Sequence, residues 1–461
     1  MQDSFERETV LVIGLGKSGL ASTKVLRERG AVVFATDEKA REGLVTAIAA
    51  IEAQGARFVA PAELAGMLGS VTLAVLSPGV PPSAPVLQQV VAAGISVIGE
   101  IELASRICAA PIVAVTGTKG KSTTTALIAH MLRACGRDVR LGGNIGDPLV
   151  GQVVGAAASS WVVAEVSSFQ LETIRSFRPR VSVLLNIAPD HLDRYRSLEE
   201  YAEAKFRITI NQGEGDTIVL DLDDPRLAAF KARYERANGK ARILGYTLRD
   251  AGDAAIFLRG EQILCASGGS DAAPILDRAD VPLPGEHNLR NVVAALLAAL
   301  AANCESGPLR DAVRTFRALP HRLQPVGEID GVLYVDDSKA TNPDAAVAAL
   351  HAYDRPVVLI AGGRSKGTDF ATLGAAIRLR TKALILIGES ADALARAAGD
   401  VPHELADSVE NAVERARMQA RPGDVVLLSP ACASFDMFTS AEERGERFTR
   451  AVENLRERVR A

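Results

Sequence analysis

A segment rich in glycine and lysine has the composition of a phosphate-binding loop. It comprises Gly117, Thr118, Lys119, Gly120, Lys121, Ser122 and Thr123. The backbone N–H groups of such a loop can wrap a triphosphate, while Lys121 can neutralise its outer phosphates and Ser122 can bind Mg²⁺. The strict pattern has a glycine where this chain has Val115, so the segment is a shortened P-loop.

Polar residues that could bind a metal follow the next two apolar runs. Glu165 ends the run 161–165, and His191 comes soon after the run 181–186. Because the carboxyl ends of parallel strands face the ligand crevice, Glu165 is expected where Mg²⁺ beside the P-loop would lie. His191 is a candidate ligand, although a lone histidine often has a structural role. Lys205, in a helical stretch, would be a surface lysine on spacing alone.

A second glycine loop follows the first apolar run of the chain. It contains Gly14, Leu15, Gly16, Lys17, Ser18 and Gly19, and Asp37 follows the next run. This pattern lets backbone N–H groups approach a diphosphate at a helix N-terminus. Three interpretations stay open here: an NAD(P) site, a site for another nucleotide, and a tight turn without a ligand.

A third glycine-rich segment, residues 361–367, again follows an apolar run and contains Lys366. A glycine pair followed by lysine can bind an anionic group. An ordinary strand-to-helix turn has the same composition, so this segment alone does not predict a site.

Nine short apolar runs alternate with helix-type stretches rich in Ala, Leu, Glu and Arg. The runs are 9–13, 31–36, 73–77, 111–116, 161–166, 181–186, 356–361, 383–388 and 424–429. Near-continuous apolar runs of this length are typical of parallel strands buried on both faces. The alternation predicts βαβ units and an α/β fold class.

Breaks in this pattern predict three domains: 1–105, 106–318 and 319–461. A helix-type stretch gives way to a new strand after residue 105, and two prolines interrupt the pattern at 318–325. Residues 240–283 alternate short β-type pieces with Gly and Asp, which favours a small antiparallel insert.

The composition is that of an ordinary globular protein. The 461 residues carry 52 Lys and Arg against 56 Asp and Glu, so a basic nucleic-acid binder is disfavoured. No apolar run reaches the roughly 18 residues that a membrane span needs, and the N-terminus has no signal-peptide core. Five scattered cysteines fit neither a disulfide framework nor a zinc site. We therefore expect a cytoplasmic protein with free thiols.

Taken together, the motifs resemble those of the Mur ligases, the ATP-dependent amide-bond ligases of peptidoglycan synthesis. The similar segments, in family order, are GTKGKST (117–123), GGNIG (142–146), AEVSSFQLE (164–172), NIAPDHLDRY (186–195), EAK (203–205), GEHNLRN (285–291), LPHR (319–322), DDSKATNP (336–343) and SPACASFD (429–436). The resemblance covers essentially the whole chain. The set is highly specific, although no single motif is.

The resemblance implies a fold and an activity. The fold would be a Rossmann-like UDP-binding domain (1–105), a central P-loop ATPase domain (106–318) and a Rossmann-like glutamate-binding domain (319–461). GLGKSG (14–19) and SPACASFD are most similar to the family branch that adds D-glutamate to UDP-N-acetylmuramoyl-L-alanine through an acyl phosphate. The first glycine loop would then bind a UDP diphosphate instead of NAD. The protein would act as a monomer, without nucleic acid or a membrane span.

The resemblance also implies roles for individual residues. The catalytic set would be Lys121, Glu165, His191 and Lys205. Two Mg²⁺ ions would be bound by Ser122, Glu165, His191 and a carbamylated Lys205. Besides the P-loop residues 117–123, ATP would contact Asn288, Arg322 and Asp337. The UDP substrate would contact Gly14, Leu15, Gly16, Lys17, Ser18, Asp37, Asn144, Ser167 and Gln170. Glutamate would contact Lys339, Thr341, Lys366, Ser434 and Phe435.

Two departures from the family pattern affect the expected glutamate site. The loop before Lys366 has Arg364 and Ser365 where family members often have Asp, and Ala441 stands where some have an aromatic residue. Two alternatives stay open: a ligase that adds L-glutamate, and an NAD(P)-dependent oxidoreductase built on the first glycine loop. The second leaves the P-loop, Glu165 and His191 unexplained.

Overall fold

The computed structural model describes residues 4–191, 194–250, 254–266, 272–365, 367 and 369–460. The chain forms two compact units. One contains the chain up to Val281 together with Arg290–Phe316, and the other contains Pro282–Leu289 and the chain from Arg317 onward.

The first unit contains two sheets. The smaller sheet is parallel throughout, in the order β3-β2-β1-β4-β5. Its strands are β1 (Thr9–Ile13), β2 (Val32–Thr36), β3 (Arg57–Phe58), β4 (Leu73–Leu76) and β5 (Ser96–Gly99). The site described below depends on the larger sheet and on the loops that follow β1 and β4.

The larger sheet of this unit has the order β14-β13-β12-β11-β10-β9-β6-β8-β7. Its strands are β6 (Ile112–Thr116), β7 (Val139–Gly143), β8 (Trp161–Glu165), β9 (Val181–Leu184), β10 (Thr217–Asp221), β11 (Arg242–Tyr246), β12 (Ile256–Arg259), β13 (Gln262–Ala266) and β14 (Ala272–Asp277). The pairings among β6–β12 are parallel, and β12, β13 and β14 pair antiparallel. The antiparallel insert predicted at 240–283 is therefore found, except that β11 belongs to the parallel part.

The second unit contains one sheet in the order β15-β16-β20-β17-β18-β19. Its strands are β15 (Gln324–Ile329), β16 (Val332–Asp336), β17 (Val357–Gly362), β18 (Thr381–Ile387), β19 (His403–Leu405) and β20 (Val425–Leu428). Only the β15–β16 pairing among these described strands is antiparallel. Each of the nine predicted strands is found, with bounds that differ by at most two residues.

Helices connect the strands and cover the sheets. They are α1 (Lys17–Glu28), α2 (Val45–Ala53), α3 (Pro85–Ala92), α4 (Glu100–Ile107), α5 (Lys121–Ala134), α6 (Leu149–Gln152), α7 (Ser168–Leu171), α8 (Leu198–Phe206), α9 (Pro225–Arg236), α10 (Glu286–Ala301), α11 (Ser306–Thr315), α12 (Pro343–Leu350), α13 (Ala371–Arg380), α14 (Ala391–Ala398), α15 (Val409–Gln419) and α16 (Ala441–Arg460). Short 3₁₀ turns cover Arg41–Leu44, Pro61–Gly66, Leu68–Ser70, Arg207–Thr209 and Arg278–Asp280. No helix in the described part of the chain is long and apolar enough to cross a bilayer.

Successive residues of the central strands enter different hydrophobic clusters. In β1, Val10 and Val12 pack into one cluster, while Leu11 and Ile13 pack into another. In β17, Val358 packs with residues on the other side of the sheet from Val357 and Leu359. Because both faces of these strands are buried, their sequences are continuously apolar. Such strands expose polar groups mainly at their ends, where the candidate site lies.

Candidate active site

The carboxyl edge of the larger sheet brings together three loops. Thr116 of β6 is in register with Leu184 of β9, and Gly143 of β7 is in register with Glu165 of β8. The predicted P-loop follows β6, the loop 186–191 follows β9, and Asn144 follows β7. Parallel neighbours end at the same edge, so residues far apart in sequence meet there.

Two glycines give the P-loop its shape. Gly117 has φ +151° and Gly120 has φ +84°. A Cβ at Gly117 would lie 2.9 Å from the Cβ of Leu185, and one at Gly120 would lie 2.2 Å from Oδ1 of Asn291. Any larger residue at these two positions would force the loop away from the sheet and from α10.

Asn186 and Lys121 hold the loop closed. The Asn186 carbonyl accepts the N–H of Thr118 at 2.9 Å, its Oδ1 accepts the N–H of Lys119 at 2.8 Å, and its Nδ2 donates to the Lys119 carbonyl at 3.0 Å. The Lys121 ammonium donates to the carbonyls of Gly117 and Thr118 at 3.0 and 2.9 Å. Lys121 and Ser122 begin α5, so both lie at a helix N-terminus, where anions bind favourably.

Lys205 is buried at the P-loop, so the expectation of a surface lysine from spacing alone is wrong. Only 1% of the residue is exposed, its Nζ donates to the Gly117 carbonyl at 2.9 Å, and it lies 4.4 Å from the ring centroid of Tyr201. Burial, and next the charge of Lys121, lower its pKa well below the usual lysine value, against the opposing effects of Asp190 and Glu165. An uncharged amine at this position is nucleophilic.

Glu165 is a buried carboxylate beside Asn144. Asn144 donates its Nδ2 to Oε1 of Glu165 at 2.7 Å, and its backbone N–H to the Glu165 carbonyl at 2.9 Å. Oε2 of Glu165 is buried and has no hydrogen-bond partner among the described residues. A buried, unpartnered carboxylate oxygen is costly unless a cation binds it, so this group fits a metal ligand.

His191 lies among aromatic rings. Its ring centroid is 4.8 Å from that of Phe169 and 6.3 Å from that of Tyr201, and its backbone has φ +53°. Arg194 lies over the Phe169 ring at 4.1 Å from the centroid and forms an ion pair with Glu172. In the described part of the chain, no cluster of three or more His, Cys, Asp or Glu side chains could hold a metal.

The first glycine loop borders an open cavity of about 600 Å³ in the same unit. Gly14 has φ +92°, and a Cβ at Gly19 would lie 1.9 Å from the Gly14 carbonyl oxygen. Of the predicted contacts, Gly14, Gly16, Lys17, Ser18 and Asp37 line this cavity. The Asp37 carboxylate also accepts the N–H groups of Leu15 at 2.7 Å and Lys39 at 2.9 Å, so it shapes the loop.

Ser167 and Gln170 form the N-terminal capping box of α7. The Ser167 hydroxyl and backbone N–H donate to Oε1 of Gln170 at 3.1 and 2.9 Å. Their spacing in the sequence thus has a structural reason in addition to the predicted substrate contact. Nε2 of Gln170 makes none of the hydrogen bonds found among the described residues.

The second unit has its own polar edge, formed by the ends of β16, β17 and β20. Burial raises the pKa of Asp337 to about 7, although hydrogen bonds from Ser429 (2.8 Å) and the Leu323 backbone (3.2 Å) favour its charged form. Lys339 forms an ion pair with Glu442. Arg364 forms a two-bond ion pair with Glu389, at 2.7 and 3.1 Å.

The remaining residues predicted to contact ATP or glutamate in this unit differ in their burial and hydrogen bonds. Asn288 donates its Nδ2 to the Pro284 carbonyl at 2.7 Å, and Thr341 donates its N–H to the Lys339 carbonyl at 2.9 Å. Ser434 is buried and Phe435 is exposed. The positive charge of Arg322 helps to lower the pKa of Asp337. Lys366 lies outside the described residues.

Two residues that sequence analysis missed organise this edge. Arg444 is fully buried and donates to the hydroxyl and carbonyl of Ser338, at 2.9 and 2.8 Å, and to the Cys432 carbonyl at 3.2 Å. Nδ1 of His321 lies 2.7 Å from a carboxylate oxygen of Asp336. His321 stands inside a recognised motif, LPHR. Arg444 has no local signal, because an arginine in a charged helix is usually exposed.

Comparison with known protein families covers most of the chain. Residues 8–99 match the Mur ligase MurD-like N-terminal domain, residues 115–299 the Mur ligase middle domain, and residues 321–432 the Mur ligase glutamate ligase domain.

Similar proteins extend over nearly the full length. The chain is 44% identical to a UDP-N-acetylmuramoylalanine–D-glutamate ligase from Pelotomaculum thermopropionicum, over 99% of this chain and 100% of that protein. It is 43% identical to the enzyme of the same name from Salinibacter ruber, over 98% and 99% of the two chains.

Solved structures share the fold at low sequence identity. The MurF ligase from Thermotoga maritima in complex with ADP has a TM-score of 0.61 at 19% identity, covering 99% of this chain and 96% of that one. The pseudomurein peptide ligase type C from Methanothermus fervidus has a TM-score of 0.61 at 17% identity, covering 97% and 100%. With full-length relatives above 40% identity and three matching domains in order, the chain belongs to the Mur ligase family.

Proposed function

We propose that this protein is an ATP-dependent ligase that joins D-glutamate to UDP-N-acetylmuramoyl-L-alanine in peptidoglycan precursor synthesis. The relatives with more than 40% identity over the whole chain carry the name of that activity. The names of these relatives support the two substrates, and the P-loop site of the first unit supports the use of ATP.

One observation carries the proposal. At the P-loop, a buried amine (Lys205) and a buried carboxylate with an unpartnered oxygen (Glu165) lie close enough for the carboxylate to influence the pKa of the amine. Burying an amine and a carboxylate costs free energy, and a turn without a ligand needs neither of these groups.

Because burial lowers the pKa of Lys205, its amine loses its proton more readily than that of an ordinary lysine, and the deprotonated amine can react with CO₂, giving a carbamate and releasing a proton. The product is anionic where the unmodified ammonium would repel a metal. Ser122, Glu165, His191 and the carbamylated Lys205 would then hold Mg²⁺. When bound, Mg²⁺ offsets the charge of the phosphates and of the attacking carboxylate.

A carboxylate does not form an amide with an amine at neutral pH, because its oxygen is a poor leaving group. Transfer of the γ-phosphoryl group from ATP to the substrate carboxylate gives an acyl phosphate, and the amine of glutamate then displaces phosphate. Lys121 and the N–H groups at the start of α5 stabilise the negative charge that develops on the phosphates.

The proposal also assigns residues to each substrate and bounds to each domain. Gly14, Leu15, Gly16, Lys17, Ser18, Asp37, Asn144, Ser167 and Gln170 would contact the UDP substrate. Asn288, Arg322 and Asp337 would contact ATP, and Lys339, Thr341, Lys366, Ser434 and Phe435 would contact glutamate. The three domains would be 1–105, 106–318 and 319–461. The enzyme would be a cytoplasmic monomer.

The test is phosphate release from ATP in the presence of UDP-N-acetylmuramoyl-L-alanine, comparing D-glutamate, L-glutamate and no amino acid. We expect release only with an amino acid, and faster with the D-isomer. Faster release with L-glutamate would support the L-adding alternative. Saturable NADH binding without ATP turnover would contradict the proposal and favour an oxidoreductase.

A further inference from the structure

Two buried carboxylates lie at the end of β10, in the first unit. Asp221 is the last residue of this strand, and Asp223 lies two residues further along the chain. Their side chains are only 5% and 10% exposed. Burial raises the pKa of Asp221, although the positive charge of Arg290 opposes that shift. Two carboxylates this close to each other and this far from water need a cation beside them.

Arg290, on α10, supplies that positive charge. Its Nη1 donates to Oδ2 of Asp221 and to Oδ2 of Asp223, at 2.9 Å in each case. Asp223 also accepts the Thr247 hydroxyl at 2.7 Å and the Leu248 N–H at 3.0 Å. The two ion pairs therefore attach α10 to the carboxyl end of β10.

The residue after Arg290 lies against the P-loop. Asn291 is 4% exposed, and its Oδ1 accepts the hydroxyl of Thr124, on α5, at 3.2 Å. The same oxygen would be 2.2 Å from a Cβ at Gly120, the P-loop residue that precedes α5. Asn291 thus packs against both the P-loop and the helix that begins there.

These contacts hold α10 from two directions. Consecutive side chains on a helix point about 100° apart, since a turn contains about 3.6 residues. Arg290 can therefore bind the end of β10 while Asn291 faces Gly120. A shift of α10 that followed the loss of the ion pairs would move Asn291 away from the P-loop, and Gly120 would lose its support.

We propose that Arg290 is a positioning residue for nucleotide binding: its ion pairs with Asp221 and Asp223 hold α10 where Asn291 supports the P-loop. The proposal rests on the proposed function, which supplies the nucleotide. Arg290 acts through Asn291, so its loss should weaken binding of the phosphates and leave the other substrate sites unchanged.

The test measures the Kd of ADP for the full chain by calorimetry. Arg290→Met keeps most of the side-chain length and removes the charge. We expect it to raise the Kd about tenfold, the effect of losing one hydrogen bond between charged groups. Arg290→Lys should recover part of the affinity, because an ammonium can still pair with one of the two carboxylates. In turnover, KM for ATP should rise while KM for UDP-N-acetylmuramoyl-L-alanine stays the same.

A second variant guards against a loss of folding. Asp221→Asn combined with Arg290→Met removes a buried negative charge that the single change leaves unpaired. Its unfolding temperature should be higher than that of Arg290→Met, but its Kd for ADP should remain raised. Arg259→Met is the matched control: Arg259, on β12 of the same unit, forms a two-bond ion pair with Asp250 at 3.0 and 3.1 Å. Its loss should leave the affinity for ADP unchanged.

The outcomes separate positioning from a purely structural role. A lower unfolding temperature with wild-type affinity for ADP, in Arg290→Met or in the double variant, would overturn the inference. So would an equal rise of KM for both ATP and UDP-N-acetylmuramoyl-L-alanine. A wild-type protein that bound no ADP would instead contradict the proposed function itself.

Discussion

Burial of one amine determines which chemistry is available at the P-loop. Lys205 lies against the Gly117 carbonyl, almost without solvent contact, and its pKa is lowered by burial and by Lys121. Lys205→Ala should reduce kcat by at least the roughly 10–100-fold that loss of a partner of a metal ligand costs. Short carboxylates such as formate or acetate should restore part of the rate, because they can occupy the place of the carbamate.

Lys231→Ala serves as the control for this experiment. Lys231 lies on α9 and forms a surface ion pair with Glu235, so its loss should change neither the rate nor the response to carboxylates. Full activity of Lys205→Ala would remove Lys205 from the mechanism. A loss of activity that no carboxylate relieves would show a role for its ammonium group instead of a carbamate.

Individual site residues differ in how far sequence predicts them. The P-loop is recognisable locally, because Gly117 and Gly120 are needed for backbone shape and Lys121 for charge. Lys205 and Arg444 carry no such signal: each is a basic residue in a polar helix, and only tertiary packing buries it.

At the scale of elements, one N-terminal cap connects two parts of the site. Oδ1 of Asp224 accepts the N–H groups of Arg226 at 2.9 Å and Leu227 at 3.2 Å, which begins α9. Oδ2 accepts the N–H of Ile187 at 2.8 Å, at the start of the loop that ends in His191. The same side chain thus fixes a helix and the loop that carries a proposed metal ligand.

Asp224→Asn should separate these two roles. The amide oxygen can still cap α9, but the amide N–H₂ faces the Ile187 N–H, which costs about 1–3 kcal/mol of stability. Because the loop to His191 then shifts, we expect the Mg²⁺ concentration for half-maximal rate to rise severalfold. Titration of the rate with Mg²⁺ measures it.

Ser408→Ala is a matched cap variant in the other unit, where the Ser408 hydroxyl accepts the Asn411 N–H. It should cost about 1 kcal/mol of stability and leave the Mg²⁺ dependence unchanged. If Asp224→Asn behaved in the same way, the contact with Ile187 would have no role in the site.

The elements themselves follow closely from local sequence. Strands buried on both faces are continuously apolar, as in Val357–Gly362, and caps followed by proline begin α9 and α12. What local sequence could not predict is register, since it depends on pairing between distant segments. The alignment of Gly143 with Glu165, which sets Asn144 beside the carboxylate, is of this kind.

For the whole molecule, each compact unit contains a buried acid with a raised pKa. Burial raises the pKa of Glu100 in the first unit and of Asp337 in the second to about 7 in each case. Between the ordinary value of a carboxyl and pH 7, the folded protein therefore binds more protons at these sites than the unfolded chain. The contribution of these two groups to the free energy of unfolding therefore falls as pH rises through this window.

Asp337→Asn tests this dependence in the second unit. Raising the pKa from 3.8 to about 7 corresponds to at most about 4 kcal/mol lost between acidic and neutral pH, so the variant should lose less stability than the wild type between pH 5 and 8 in urea denaturation. Glu404→Gln is the control: Arg415 holds the pKa of Glu404 below its usual value, so that carboxyl stays ionised throughout this range. If the wild type and Asp337→Asn showed the same change in stability between pH 5 and 8, Asp337 would already be ionised at pH 5. Its charge would then be stabilised by Ser429 and Arg322.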